Sequence, residues 1–257
     1  MPSTSADDSL WIRRYHPAPA SRATLVCFPH AGGSASFFHP VSTTLTGDLE
    51  VLAVQYPGRQ DRRTEPCVDT IDELADKVHA ALRPRAAAGT PLAFFGHSMG
   101  AILAFEVALR LAEHDGVTPV ELFASGRRAP STSRHETVHR RDDRGIVREL
   151  QTLSGTDAAV LGDEELLRMI LPAIRADYRA IETYACRPDA VIDAPITVLV
   201  GDNDPKVTLD EAMAWGRHST REIDLRIFPG GHFYLARHAA AVNGVIADHL
   251  LAARQPT

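Results

Sequence analysis

The sequence predicts an α/β protein: a mostly parallel sheet with helices on both faces and one inserted helical segment. Three observations predict it. Short apolar runs alternate along the chain with helical stretches, the pattern of strands joined by crossover helices. The loops rich in glycine and polar residues each follow an apolar run, and in parallel sheets such loops gather at the carboxyl edge. Run starts are about 25 to 40 residues apart as far as Val120, and then about 75 residues pass before Ile196, so an insertion is expected there.

The elements follow in order. Residues 1–9 are polar and acidic and are expected to form a disordered tail. Trp11 to Tyr15 reads as a first edge strand, Leu25 to Phe28 as the next, and Val51 to Tyr56 as a third. Ile71, Leu74, Ala75, Val78 and Leu82 recur at helical spacing, predicting a helix over 70–83 that stops before Pro84. Pro91 to Phe95 is a buried strand, and the apolar run Ala101 to Leu111 a buried helix. Val120–Ser125, Ile196–Val200 and Leu225–Phe228 complete the strands, and Val242, Val245, Ile246, His249 and Leu250 mark a closing helix. The core is therefore expected at 10–126 and 191–257, with 127–190 as a helical lid. Ile146, Val147, Leu150 and Leu153 predict its first helix, and Leu166, Leu167, Ile170 and Leu171 its second. Pro172 is expected to open a third, carrying Ile174, Tyr178, Ile181 and Tyr184.

With 257 residues, 44% hydrophobic and 23% charged, the chain can bury a real core without covalent staples. A net charge of −6 argues against nucleic acid or an anionic membrane as partner. Cys27, Cys67 and Cys186 are odd in number and widely spaced, so they offer neither a disulfide framework nor a metal set. No apolar stretch approaches membrane-spanning length and no signal-peptide pattern is visible, so a cytoplasmic protein is expected.

The chemistry centres on Gly96-His97-Ser98-Met99-Gly100, between a strand and a helix. A serine between two glycines at such a corner is a nucleophile elbow, with small neighbours because strand and helix come close. A hydroxyl needs a base. Of 12 histidines, His232 is chosen, because Gly230-Gly231-His232-Phe233 follows the last strand on the same sheet edge. The orienting acid should follow the strand at 196–200, where Asp202 and Asp204 compete. Asp204 is preferred because it lies further round the turn and is stiffened by Pro205, while Asp202 suits a turn cap. The order Ser, Asp, His is that of α/β-hydrolases. Two backbone N–H groups should receive the oxyanion: Met99, after the nucleophile, and Ala31, in His30-Ala31-Gly32-Gly33. His30 is read as making a structural hydrogen bond in its loop, and His97 as packing behind the site. His135-Glu136-Thr137-Val138-His139 matches the zinc-peptidase pattern H-E-x-x-H. Its flanks carry no buried face, so it is read as a solvated connection into the lid.

These residues, with Phe28-Pro29-His30-Ala31-Gly32-Gly33, Gln55-Tyr56-Pro57-Gly58-Arg59, Leu171-Pro172-Ala173-Ile174-Arg175-Ala176-Asp177-Tyr178, Glu182-Thr183-Tyr184 and Gly201-Asp202-Asn203-Asp204, resemble the type II thioesterases of polyketide and nonribosomal peptide synthesis. The likeness runs from about Thr24 to Leu250. It implies a free-standing enzyme that removes stalled or misloaded acyl groups from the phosphopantetheine arm of an acyl or peptidyl carrier protein. The implied residues are Ser98 as nucleophile, His232 as base and then acid, Asp204 as orienter, and Met99 and Ala31 as oxyanion donors. No cofactor is expected, since phosphopantetheine arrives with the substrate, and a monomer is expected. Arginines near the entrance, Arg59, Arg127 and Arg128, are candidates for docking an acidic carrier. Two other readings use the same fold: a small-molecule carboxylesterase with the same triad, and a non-catalytic binding module, against which all three triad positions being filled argues.

Overall fold

The computed structural model of the protein describes residues 10–18, 20–153 and 162–252; the expected tail at 1–9 lies outside them. Seven strands, β1 (Ile12–Arg14), β2 (Thr24–Phe28), β3 (Glu50–Val54), β4 (Leu92–His97), β5 (Glu121–Ser125), β6 (Ile196–Gly201) and β7 (Ile223–Phe228), form one sheet in the order β1-β3-β2-β4-β5-β6-β7. β1 runs antiparallel to β3, and every other neighbouring pair is parallel. Five helices of more than seven residues are described: α1 (Ile71–Ala87), α2 (Met99–Asp115), α3 (Asp143–Leu153), α4 (Glu164–Thr183) and α5 (Ala239–Ala252).

The sheet is buried on both faces because its strands are apolar at successive positions rather than alternate ones. Val26, Phe28, Phe94, Leu122, Ala124, Val198 and Val200 pack with the apolar faces of α1 and α2. Their neighbours Leu25, Cys27, Phe95, Phe123 and Leu199 pack on the other side with Val242, Ile246 and Leu250 of α5. The chain passes from β2 to β3 on one side and returns at β4 on the other, which makes the β2/β4 boundary the topological switch point, where crevices form. Phe28 pairs with Gly96 there, so the loop after β2 starts level with the turn after β4.

Two helices differ from the sequence reading, for one reason. α1 continues through Pro84 to Ala87, and α4 runs unbroken through Pro172, replacing the two helices expected there. A proline deprives the carbonyl four residues earlier of its partner. Pro84 and Ala80 are both exposed, as are Pro172 and Arg168, so water can serve each freed carbonyl. Asp163 caps α4 through the N–H groups of Glu165 and Leu166, at 2.9 and 3.1 Å. Ile146 and Leu150 of α3 and Leu171, Ile174 and Tyr178 of α4 enclose Val138 in a small apolar cluster at the carboxyl edge of the sheet. Among the described residues no helix is long and apolar enough to cross a membrane.

Candidate active site

The turn after β4 is built around close approach. Ser98 sits at φ 54°, ψ −116°, a conformation a non-glycine residue adopts only when its surroundings enforce it. A Cβ on Gly96 would lie 2.2 Å from the Gly100 carbonyl oxygen, and one on Gly100 would lie 2.0 Å from that of Phe28. Glycine is thus obligatory at both positions. The Ser98 N–H donates to the Ser125 carbonyl at 2.8 Å, tying the turn to β5. Its hydroxyl stands at the N-terminus of α2, the positive end of that helix.

Three residues from three loops meet here. Ser98 Oγ is 3.0 Å from His232 Nε2, and His232 Nδ1 is 2.8 Å from Asp204 Oδ2 and 3.0 Å from Oδ1. The side chains of His232 and Asp204 are essentially buried. Asp204 Oδ1 also accepts the Lys206 N–H at 2.8 Å, which fixes the carboxylate plane. Asp202 faces elsewhere: its Oδ1 accepts the Gly230 N–H and the Asn203 amide, both at 2.8 Å. It therefore ties the β6 turn to the β7 loop, and Asp204 rather than Asp202 is the acid that lies against His232.

The other two histidines pack against this relay. The His97 and His232 ring centroids are 5.0 Å apart, and the His97 Nδ1 bonds Ser125 Oγ at 2.9 Å. His30 lies edge-on to Phe37 and Phe233. Among the described residues its Nδ1 is buried with no partner, so the expected structural hydrogen bond is not made there, and the ring packs beside Phe37, His97 and Phe233. Burial, with His232 and Arg59 nearby, lowers the His30 pKa to about 3, so this ring stays neutral.

Met99 is the first residue of α2, so its N–H has no acceptor within the helix. In the loop after β2, the Gly33 N–H donates to the His30 carbonyl at 2.8 Å, and the Gly32 N–H donates to Asp177 Oδ2 at 2.7 Å. Ala31 lines the same cavity as Ser98, and its N–H is left without a partner among the described residues. Asp177 also receives a two-pronged contact from Arg59, at 2.6 and 2.8 Å. The sequence reading gave Arg59 only as a candidate for docking a carrier, and Asp177 only as part of a segment shared with the resembled family. The signal was there, however: Asp177 shares the buried stripe of α4 with Ile174, Tyr178 and Ile181, and a carboxylate on such a stripe demands a buried cation.

The cavity holding Ser98 and His232 measures about 470 Å³. Its apolar lining comes from Leu150, Leu153, Ile170, Ile174, Tyr178 and Ile181 of α3 and α4, with Phe37 and Phe233. Arg127, Glu136, Glu182 and Lys206 also line it. Here the sequence reading needs correction twice. The segment from His135 to Arg144 is exposed at most positions, as expected, but it is anchored rather than loose. Val138 is buried, Glu182 accepts the N–H groups of Val138 and His139 at 2.8 and 3.0 Å, and Glu136 pairs with Arg128 and Lys206. Only Val138–Arg140 forms a helical turn, so the two histidines of the H-E-x-x-H match do not share a helix face. Nor are the three arginines available to a docking protein. The Arg59 and Arg128 side chains are 9% and 4% exposed and ion-paired, and Arg127 is buried with its Nε unpartnered.

Burial raises the Glu136 carboxyl pKa, but Lys206 and Arg128 outweigh it and bring it to about 2 from an ordinary 4.5. Its folded pKa lies below its unfolded one. The stabilisation is therefore full above pH 4.5 and is lost as pH falls toward 2. Glu136→Gln is expected to destabilise the protein by about 2–3 kcal/mol at pH 7. Melting curves across pH should show the gap from wild type closing between pH 4.5 and 2.

The thioesterase domain family matches residues 23–250. The chain is 57% identical over 251 residues to the probable cadicidin biosynthesis thioesterase of Streptomyces griseus, covering 97% of this chain and 69% of that protein. It is 52% identical over 250 residues to thioesterase PikA5 of Streptomyces venezuelae, covering 97% and 89%. The solved structure of BorB, the type II thioesterase from the borrelidin biosynthetic cluster, superposes with a TM-score of 0.88 at 52% identity, over 94% of this chain and 98% of that one. A strained serine turn at the switch point of a parallel sheet, with this family match along nearly its whole length, makes the chain a member of the thioesterase family and a thioester hydrolase of the α/β-hydrolase fold.

Proposed function

We propose that the protein hydrolyses acyl thioesters carried on the phosphopantetheine arm of acyl or peptidyl carrier proteins, clearing stalled or misloaded groups in polyketide or nonribosomal peptide synthesis. One observation carries the reading: the hydrogen-bonded series Asp204–His232–Ser98, with Ser98 and His232 lining a cavity that apolar and charged side chains share. The named relatives support the pathway type. Ser98 Oγ attacks the thioester carbonyl while His232 Nε2 takes its proton. The Met99 and Ala31 N–H groups receive the oxyanion, and the pantetheine thiol departs with a proton from His232. Water, deprotonated by His232, then attacks the carbonyl of the Ser98 ester; the bond to Ser98 Oγ breaks, His232 returns its proton to that oxygen, and the acid is released. Every group needed is a side chain or backbone N–H of this chain, so no cofactor is required.

The helices α3 and α4 serve as a lid over the acyl chain. Their apolar side offers shape but few polar contacts, and one methylene in such a pocket is worth about 1–3 kcal/mol. Broad acyl tolerance follows. The test is mass spectrometry of the protein mixed with a panel of acyl-carrier proteins, together with steady-state comparison against plain esters of the same acids. An acyl adduct on Ser98 and faster turnover of the carrier thioester are expected. Faster turnover of the plain ester would mean a carboxylesterase instead.

A further inference from the structure

We propose that Arg59 and Asp177 are positioning residues for the oxyanion site: they lock the loop that presents Ala31 N–H and tie that loop to helix α4, so donor and helix take up position together. This rests on the reaction proposed above.

Three separated segments converge. Asp177 comes from α4, Arg59 from the loop after β3, and Ala31–Gly33 from the loop after β2. The Asp177 side chain is fully buried and that of Arg59 nearly so. The carboxylate is satisfied by three donors, two from Arg59 and the third from Gly32 N–H. Arg59 Nη1 also donates to the Gly33 carbonyl at 3.0 Å, and its Nε to the Pro57 carbonyl at 3.2 Å. The pair thus grips both polar groups the loop turns toward it, the Gly32 N–H and the Gly33 C=O.

Peptide planarity carries that grip to the donor. Gly33 N–H holds the His30 carbonyl at 2.8 Å. That carbonyl and Ala31 N–H belong to the same trans peptide, so they point in opposite directions. Holding one aims the other away from the loop. The Ala31 N–H therefore stays aimed only while Gly32 and Gly33 are held. The loop also touches α4 directly. Gly32 has φ +77°, and a Cβ there would lie 2.8 Å from Ile174 Cγ1, one turn before Asp177. Helix α4 cannot shift from the loop without stripping Arg59 of its counter-charge, which is costly in a buried site. The acyl-lining helix and the oxyanion donor are thus seated by one contact.

The experiment compares wild type, Asp177→Asn and Arg59→Lys, each checked for folding by melting temperature. Turnover is measured on a simple acyl N-acetylcysteamine thioester. Binding is measured for two analogues of the same acyl chain: a trifluoromethyl ketone, whose adduct with Ser98 Oγ bears an oxyanion, and a thioether lacking the carbonyl. For Asp177→Asn, kcat is expected to fall by about 100-fold, the size of effect a displaced catalytic group produces, with KM changed by less than about threefold. Trifluoromethyl ketone affinity should fall by the same factor as kcat, and thioether affinity should hold. Arg59→Lys keeps the charge but loses the fork and should fall between. The proposal is overturned if kcat is unchanged in both variants, or if thioether affinity and KM alone suffer, which would make the pair a wall of the acyl pocket. A wild type that neither cleaves the thioester nor captures the ketone would instead sink the proposed reaction itself.

Discussion

Ser98→Ala is expected to lower kcat on a carrier-bound thioester by about 10⁴- to 10⁶-fold, the scale on which loss of a serine nucleophile acts in other hydrolases. Among the described residues the side chain makes one hydrogen bond, to His232 Nε2, and its backbone strain is unchanged by alanine. The variant should therefore fold and melt like wild type, so that the loss reports on chemistry alone. It should also give no acyl adduct in the mass spectrum. Residual turnover would come from the oxyanion donors and substrate positioning, which survive the change. Activity within tenfold of wild type would remove Ser98 from the mechanism.

Asp204→Asn is expected to cost about 10⁴-fold in kcat, as the equivalent change does in a serine protease, whereas Asp202→Asn should stay within a few-fold. The difference is one of proton position. Asp204 Oδ1 holds the Lys206 N–H, and an asparagine oxygen would keep that contact. Its amide nitrogen would then face His232 Nδ1, where Oδ2 now accepts at 2.8 Å. Two donors cannot face each other, so the imidazole would move its proton to Nε2 and lose the ability to accept one from Ser98. At Asp202 the acceptor role toward Gly230 N–H is one that an asparagine oxygen also fills. Steady-state kinetics of both variants decide the matter, and equal losses would mean that Asp202 shares the orienting role.

The structure also bears on how substrates arrive. With Arg59 and Arg128 buried in ion pairs, the carrier protein proposed above would have to be attracted by other, exposed cations. The sequence reading offered these arginines, near the entrance, as candidates for docking because a carrier protein would be acidic. What it could not see was that Asp177 and Glu136 would arrive from distant segments to neutralise them.

Taken alone, the sequence determined what local rules govern. Apolar runs and turn glycines located the strands, their order along the chain placed the special loops on one sheet edge, and Gly96 and Gly100 announced a turn with no room for a Cβ. That was enough to single out Ser98, His232 and Asp204, because each follows a strand of a parallel sheet. Only the tertiary structure decided what depends on neighbours remote in the chain. It joined two expected helices into α4, since water can serve the carbonyl behind Pro172. It left His30 without its expected partner among aromatic rings, and it drew the His135–Arg141 segment into a network of ion pairs and backbone hydrogen bonds. It also joined Arg59 to Asp177, 118 positions away. A buried charge reveals itself in sequence only as a polar residue on an apolar stripe, and nothing local names its partner. Burial sets the demand for a counter-charge, and the fold alone determines which residue meets it.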